Sequence, residues 1–189
     1  MKITFVRHAQ VEEAYIGRYN GHIDIGLSEN GKLQAKELAK KLQHEEFDKI
    51  YCSDLIRARE TLEAFKLSGE VIFSDRLREK SWGVHEGKSF DEIVAEGIEY
   101  ENFEQWISAL DGEDIALYTK RVKEYFYNTI LKDKSENILI VTHSGTIKSI
   151  ISLIENIPLE KAFSVTLPYA SFITLNRISH KQDTSTTIF

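Results

Sequence analysis

Two apolar runs rich in β-branched residues, Ile3-Thr4-Phe5-Val6 and Ile138-Leu139-Ile140-Val141, each pass through one polar residue into a histidine, giving Arg7-His8 and Thr142-His143. Short runs of this kind, bounded by turns, read as strands buried on both faces, the pattern of a parallel sheet covered by helices. Open α/β sheets gather their active groups in the crevice beyond the strands' carboxyl ends. His8 and His143 are therefore expected to face one crevice.

The 189 residues, 42% of them hydrophobic, suit one compact domain spanning 1–189. With 24 Lys and Arg against 30 Asp and Glu, the chain is mildly acidic. That balance argues against nucleic acid and against a polybasic membrane patch, so an anionic ligand needs a local cluster of cations. The single cysteine, Cys52, ends an apolar run and is expected to be a buried, inert thiol. The first strand is too short for a signal peptide and no segment reaches transmembrane length, so a cytoplasmic location is the default expectation. Both a monomer and a homodimer remain open.

A loop from Tyr15 to Gly26 follows the first strand, and Ser28 stands where a helix N-cap would, ahead of a stripe of Ala35, Leu38, Ala39 and Leu42. Phe47 to Cys52 reads as a second strand. Ser53 or Asp54 is then expected to cap a helix that puts Leu55, Ala58, Leu62 and Phe65 on one face. Val71-Ile72-Phe73 is a third short strand, before the charged turn Asp75 to Glu79. From Ser89 to about Leu131 the pattern is helical throughout, with its clearest stripe at Tyr118, Val122, Tyr125 and Phe126. Trp82 to Gly112, with both tryptophans, has a composition suited to a small lid at about 82–112. After Ile138 to Thr142, a helix buries Ile147, Ile150, Ile151 and Ile154; Ser171 to Leu175 makes a last strand, and the tail after Ser179 is expected to fray.

Strand-loop-helix units thus end at Arg7-His8, at Cys52-Ser53-Asp54 and at Thr142-His143-Ser144-Gly145. Right-handed crossovers place all three loops along one sheet edge, which collects Arg7, His8, Arg57 and His143. Two guanidinium groups and two imidazoles beside helix N-termini are suited to phosphate.

The blocks Val6-Arg7-His8-Ala9, Asn20 to Ser28, Ser53-Asp54-Leu55-Ile56-Arg57-Ala58, Leu77-Arg78-Glu79 with Trp82-Gly83 and Glu86-Gly87, and Val141 to Gly145, in that order, resemble the histidine phosphatase superfamily. The resemblance implies a three-layer α/β/α fold with a mainly parallel sheet, like that of phosphoglycerate mutases. It also implies a metal-independent phosphomonoesterase with no cofactor, acting on a small-molecule phosphate ester. His8 matches the nucleophile that becomes a phosphohistidine. Arg7, Arg57 and His143 match the pocket for the phosphoryl oxygens, and Glu79 matches the proton donor. Imidazole attacks only if one nitrogen is unprotonated, so its other nitrogen must donate a hydrogen bond. Phosphoryl transfer otherwise needs alignment and charge neutralisation, which fixed guanidinium groups supply.

The usual Arg-His-Gly reads Arg7-His8-Ala9, and Val11 and Ala14 stand where polar residues are common in the family. Asn20 is the candidate replacement for the missing contact at Ala14, or else serves the loop turn; Ser144 offers its N–H and hydroxyl to the anion. Gly17 to Asp24 is most similar to small α-ribazole phosphatase-like proteins. Three alternatives stand beside hydrolysis: phosphoglycerate mutase-type transfer, a non-catalytic phospho-ligand module, and a metal site of His8, His143 and Asp24.

Overall fold

The structure, a computed structural model, describes residues 1–67, 69–176 and 185–188. A six-stranded sheet has the order β3-β2-β4-β1-β5-β6, with β1 at Lys2–Arg7, β2 at Lys49–Ser53, β3 at Val71–Ser74, β4 at Asn137–Thr142, β5 at Phe172–Asn176 and β6 at Ser185–Ile188. The first four strands run parallel, and β5 and β6 add antiparallel at one side. The helices are α1 (Glu29–Lys41), α2 (Ile56–Glu63), α3 (Phe90–Val94), α4 (Phe103–Ala109), α5 (Ile115–Asn128), α6 (Ser144–Ile154) and α7 (Leu159–Ser164). Among the described residues no helix is long and apolar enough to cross a membrane.

Strand alternation sorts the core into two layers. Ile3 and Phe5 of β1, Tyr51 of β2 and Ile138 and Ile140 of β4 pack with Tyr118, Val122 and Phe126 of α5 and Ile147 and Ile150 of α6. Val6, Ile50, Cys52, Leu139 and Val141 point the other way, against Leu38 of α1 and Ala58 and Leu62 of α2. Burying a side chain of this size stabilises by roughly 1.5–3 kcal/mol, so shifting one central strand by a single residue would exchange both layers and is strongly disfavoured. The three-layer α/β/α arrangement expected from the sequence is the one observed.

Parallel pairing sets Arg7 opposite Thr142, and Cys52 opposite Val141. β4 lies between β1 and β2, so the chain leaves three adjacent strands at one level. This alignment puts His8, Ser53 and His143 side by side.

Ser28 caps α1 as expected, its Oγ accepting from Gly31 N at 2.9 Å. The expected cap of α2 is corrected. Asp54 instead accepts from Arg78 at 2.7 and 2.5 Å, and the Ser53 hydroxyl is turned to His143. The first turn of α2 is capped from a distant loop, by Asp24 Oδ1 accepting from Ile56 N at 2.7 Å. The continuous helical pattern of Ser89 to Leu131 is broken into α3, α4 and α5. Ser89, Asn102 and Asp114 each accept from the first-turn amides behind them and so restart the helix. Within residues 82–112, Trp82, Ile93, Trp106, Ile107 and Leu110 form an apolar cluster of their own. Of the tail after Ser179, positions 180–184 and 189 lie outside the described residues, and Ser185–Ile188 pairs with β5 instead of fraying.

Replacing Asp24 with alanine is expected to destabilise the protein by about 1 kcal/mol in urea unfolding, and Asp24→Asn, which keeps an acceptor, by much less. An alanine variant as stable as the parent contradicts the long-range cap.

Candidate active site

At the end of β1, His8 is held by backbone on both sides: its N–H donates to Thr142 O at 2.9 Å, and its carbonyl accepts from Ala170 N at 3.2 Å. The ring Nδ1 lies 2.8 Å from Ala9 O. A carbonyl only accepts, so Nδ1 carries the hydrogen and Nε2 keeps a lone pair. Ala9 is itself anchored through its N–H to Thr61 Oγ1 at 2.9 Å. Next to it, the His143 ring stands edge-on with centroids 5.1 Å apart. Its Nε2 meets Ser53 Oγ at 2.8 Å, while Nδ1 is buried and has no partner among the described residues.

Two guanidinium groups flank these rings. Arg57, on the first turn of α2, is 1% exposed and donates to Ile23 O and Gly21 O, each at 2.7 Å. Burial pulls its pKa down to about 10, although Glu79 and Asp24 oppose the shift. Arg7 donates to Leu167 O and stacks on Tyr169, with its Cζ 4.0 Å from the ring centroid. Its Nε is buried and has no partner among the described residues. Both histidines are pushed well below their ordinary value of 6.5, by burial first and by the Arg57 charge next. The imidazoles are therefore neutral over the physiological range.

Glu79 follows the turn Asp75–Leu77. Its Oε1 accepts from Tyr118 Oη at 2.9 Å and from Lys80 N at 3.1 Å, and its Oε2 accepts from Gly145 N at 2.8 Å. A Cβ on residue 145 would fall 2.2 Å from Glu79 Oε1, so glycine is needed for this approach.

Arg7, His8, Arg57, Glu79 and His143 converge on one cavity of about 240 Å³, whose wall also includes Asn20, Ser144 and Tyr169. Asn20 Nδ2 donates to Tyr15 O at 2.8 Å and so closes the loop turn, leaving Oδ1 buried with no partner among the described residues. Ser144 opens α6 at the cavity wall. The structure thus brings every sequence-predicted site residue to one place. Asp24, weighed as a metal ligand, instead caps α2. Among the described residues no group of three or more His, Cys, Asp or Glu side chains is arranged to hold a metal ion.

A model of the histidine phosphatase superfamily, branch 1, matches residues 3–187. The chain belongs to this superfamily. Among curated relatives it is similar to phosphoserine phosphatase 1 of Hydrogenobacter thermophilus, at 32% identity over 186 residues, covering 93% of this chain and 86% of that protein. It is also similar to the adenosylcobalamin/alpha-ribazole phosphatase of Salmonella typhimurium, at 29% identity, covering 84% and 81%. The fold matches the crystal structure of the alpha-ribazole phosphatase from Shigella flexneri with a TM-score of 0.85 at 24% identity, over 100% of this chain and 95% of that one. Superfamily and relatives together support a phosphatase.

Several supports of this histidine phosphatase site are not apparent from sequence. Arg121 of α5 donates to the carbonyls of Arg76 at 2.9 Å, Arg78 at 3.2 Å and Glu79 at 3.3 Å, and so fixes the turn that presents Glu79. Glu86 Oε1 accepts from His22 N at 2.8 Å, Ser81 Oγ at 3.0 Å and Trp82 N at 3.1 Å, tying the loop that holds Arg57 to the segment after Glu79. Lys148, within the apolar pattern of α6, reaches the cavity wall. Its one sequence signal is a cation interrupting Ile147, Ile150 and Ile151.

The lowered histidine pKa values carry a stability consequence. As pH falls below about 6.5, the unfolded imidazoles bind protons that folded His8 and His143 do not, so stability is lost toward acid. The urea midpoint is expected to drop between about pH 7 and about pH 5 more steeply in the parent than in a His8→Gln, His143→Gln double variant. Parallel slopes contradict the neutral buried pair.

Proposed function

We propose that this protein is a phosphomonoester hydrolase that works through a covalent phosphohistidine at His8. The observation that carries the reading is the His8 tautomer: Nδ1–H is committed to Ala9 O, which leaves the Nε2 lone pair for the cavity that Arg7 and His143 also line, each with one buried nitrogen, Arg7 Nε and His143 Nδ1, that has no partner among the described residues. A nucleophile with no proton to lose, next to donors and guanidinium charge, suits a phosphoryl group, whose transfer depends on alignment and charge stabilisation.

In the first step Nε2 forms a bond to phosphorus as the bond to the alcohol oxygen breaks, and Glu79 delivers the proton that the departing alcohol takes up. In the second, Glu79, now a carboxylate, takes a proton from water as the water oxygen attacks phosphorus, and the P–N bond breaks to release inorganic phosphate. Arg7 and Arg57 hold the phosphoryl oxygens in both steps. His143 joins them when Ser53 Oγ donates to its Nε2, because Nδ1 then carries the hydrogen. Asn20 and Ser144 complete the wall. The chemistry requires no metal or cofactor.

The chain acts as one domain over 1–189, with residues 82–112 as a small lid. Its separate apolar cluster supports this, as does the placement of Trp82 at the cavity wall, ring to ring with Tyr19 at 5.0 Å. A cavity of about 240 Å³ lies below the ~300–1,000 Å³ typical of sites for drug-sized ligands, which favours a small phosphorylated metabolite. The relatives' names offer phosphoserine and an α-ribazole phosphate as two such metabolites.

His8→Ala is expected to abolish turnover with little change in stability, and alkaline quenching of the parent on labelled substrate should trap label on His8. Label elsewhere, or activity retained without His8, overturns the mechanism. Glu79→Gln should slow hydrolysis of alkyl phosphates by roughly 10²–10⁴-fold, and hydrolysis of p-nitrophenyl phosphate far less, since nitrophenolate leaves without a proton. Equal losses on both substrates count against Glu79 as the acid.

A further inference from the structure

Beyond the groups assigned to the phosphoryl oxygens, the cavity wall carries two more cations, Arg18 and Lys148. Arg18 is engaged, donating to Glu92 at 2.6 Å and to Gly87 O at 2.8 Å. Lys148 is half-buried, and among the described residues no ion pair is formed by its ammonium. Nζ donates to Phe163 O at 3.1 Å and stands 5.7 Å from the Phe163 ring. A carbonyl and a ring face orient an ammonium without cancelling its charge, and two of its three hydrogens are left for a ligand. Burial and the neighbouring Arg7 charge lower the Lys148 pKa, and Glu79 works in the opposite direction.

The position of Lys148 decides which part of a substrate it meets. It lies three residues beyond Gly145 on α6, hence on the same face and just under one turn (~4.5 Å) along. Gly145 is the residue whose N–H holds the Glu79 carboxylate. Glu79 marks the side from which the alcohol departs, and Lys148, lying in the field of both Arg7 and Glu79, is placed to meet a group on that side.

We propose that Lys148 is a second anion subsite, and that the substrate is a phosphomonoester whose alcohol carries a carboxylate. This rests on the hydrolase reading above, which defines the leaving-group side. A single ammonium matches one carboxylate in charge, and the cavity is compact enough to hold both ends of a small phosphorylated acid. A nucleoside alcohol such as α-ribazole has no such group, so acidic alcohols rank ahead of it.

The test uses two pairs that differ chiefly in the carboxylate: phosphoserine against phosphoethanolamine, and 3-phosphoglycerate against glycerol 3-phosphate. The parent is expected to favour the acidic member of each pair in kcat/KM. Lys148→Met should reduce that preference by roughly tenfold or more, the size of one charge-assisted hydrogen bond, and Lys148→Arg should restore most of it. Calorimetric binding of the same four compounds to His8→Ala, with and without Lys148→Met, should show the same loss for the acidic members only. A preference unchanged by Lys148→Met, or both members weakened by one common factor, overturns the subsite. The second of these outcomes would assign Lys148 to the phosphoryl group itself. Should the parent hydrolyse none of the four, the hydrolase reading fails for these esters while the binding comparison still decides the subsite.

Discussion

The site depends on how its cations are held. Removing a guanidinium or ammonium from water is costly, and the common remedy, a carboxylate partner, would neutralise the charge. Here the partners are mostly carbonyl oxygens: Gly21 and Ile23 for Arg57, Leu167 for Arg7, and Phe163 for Lys148. A carbonyl supplies a hydrogen bond and part of a dipole while leaving the net charge in place. The depressed pKa values of Arg57 and of both histidines are the mark of that arrangement, with burial as the leading cause in each. The cavity therefore keeps a positive potential that is relieved when an anion enters.

What makes such an arrangement affordable is the sheet. Parallel pairing of β1 with β4, and of β4 with β2, brings three chain exits to one level, and two apolar layers lock the register. The functional nitrogens sit on the shortest possible tethers beyond rigid strands. His8 has its N–H and its carbonyl both bonded to neighbouring backbone, so its ring has little freedom to drift.

This much was legible in the sequence, because strand periodicity and the residue that follows each strand are local signals. Tyr51, Cys52 and the Ile138–Val141 run read as buried and are buried. Other features were illegible for a common reason: they join residues far apart in the chain. Asp24 caps a helix that begins at Ile56, and Arg121 fastens a turn that includes Arg76, 45 positions earlier. No local pattern distinguishes Asp24 from an ordinary loop acid. The division of the Ser89 to Leu131 stretch was partly readable, since Asn102 and Asp114 are good capping residues. A hydrophobic pattern continuing across both of them masked the breaks.

Cys52 is the penultimate residue of β2, next to Ser53, the partner of His143, yet it is fully buried, its Sγ donates to Ser53 O at 3.2 Å, and burial drives its pKa far up. The only thiol in the chain therefore sits within two side chains of the site in a form that neither peroxide nor an alkylating reagent can engage without unfolding the strand. A cell that switches enzymes off by oxidising cysteine thiols would find no purchase on this one.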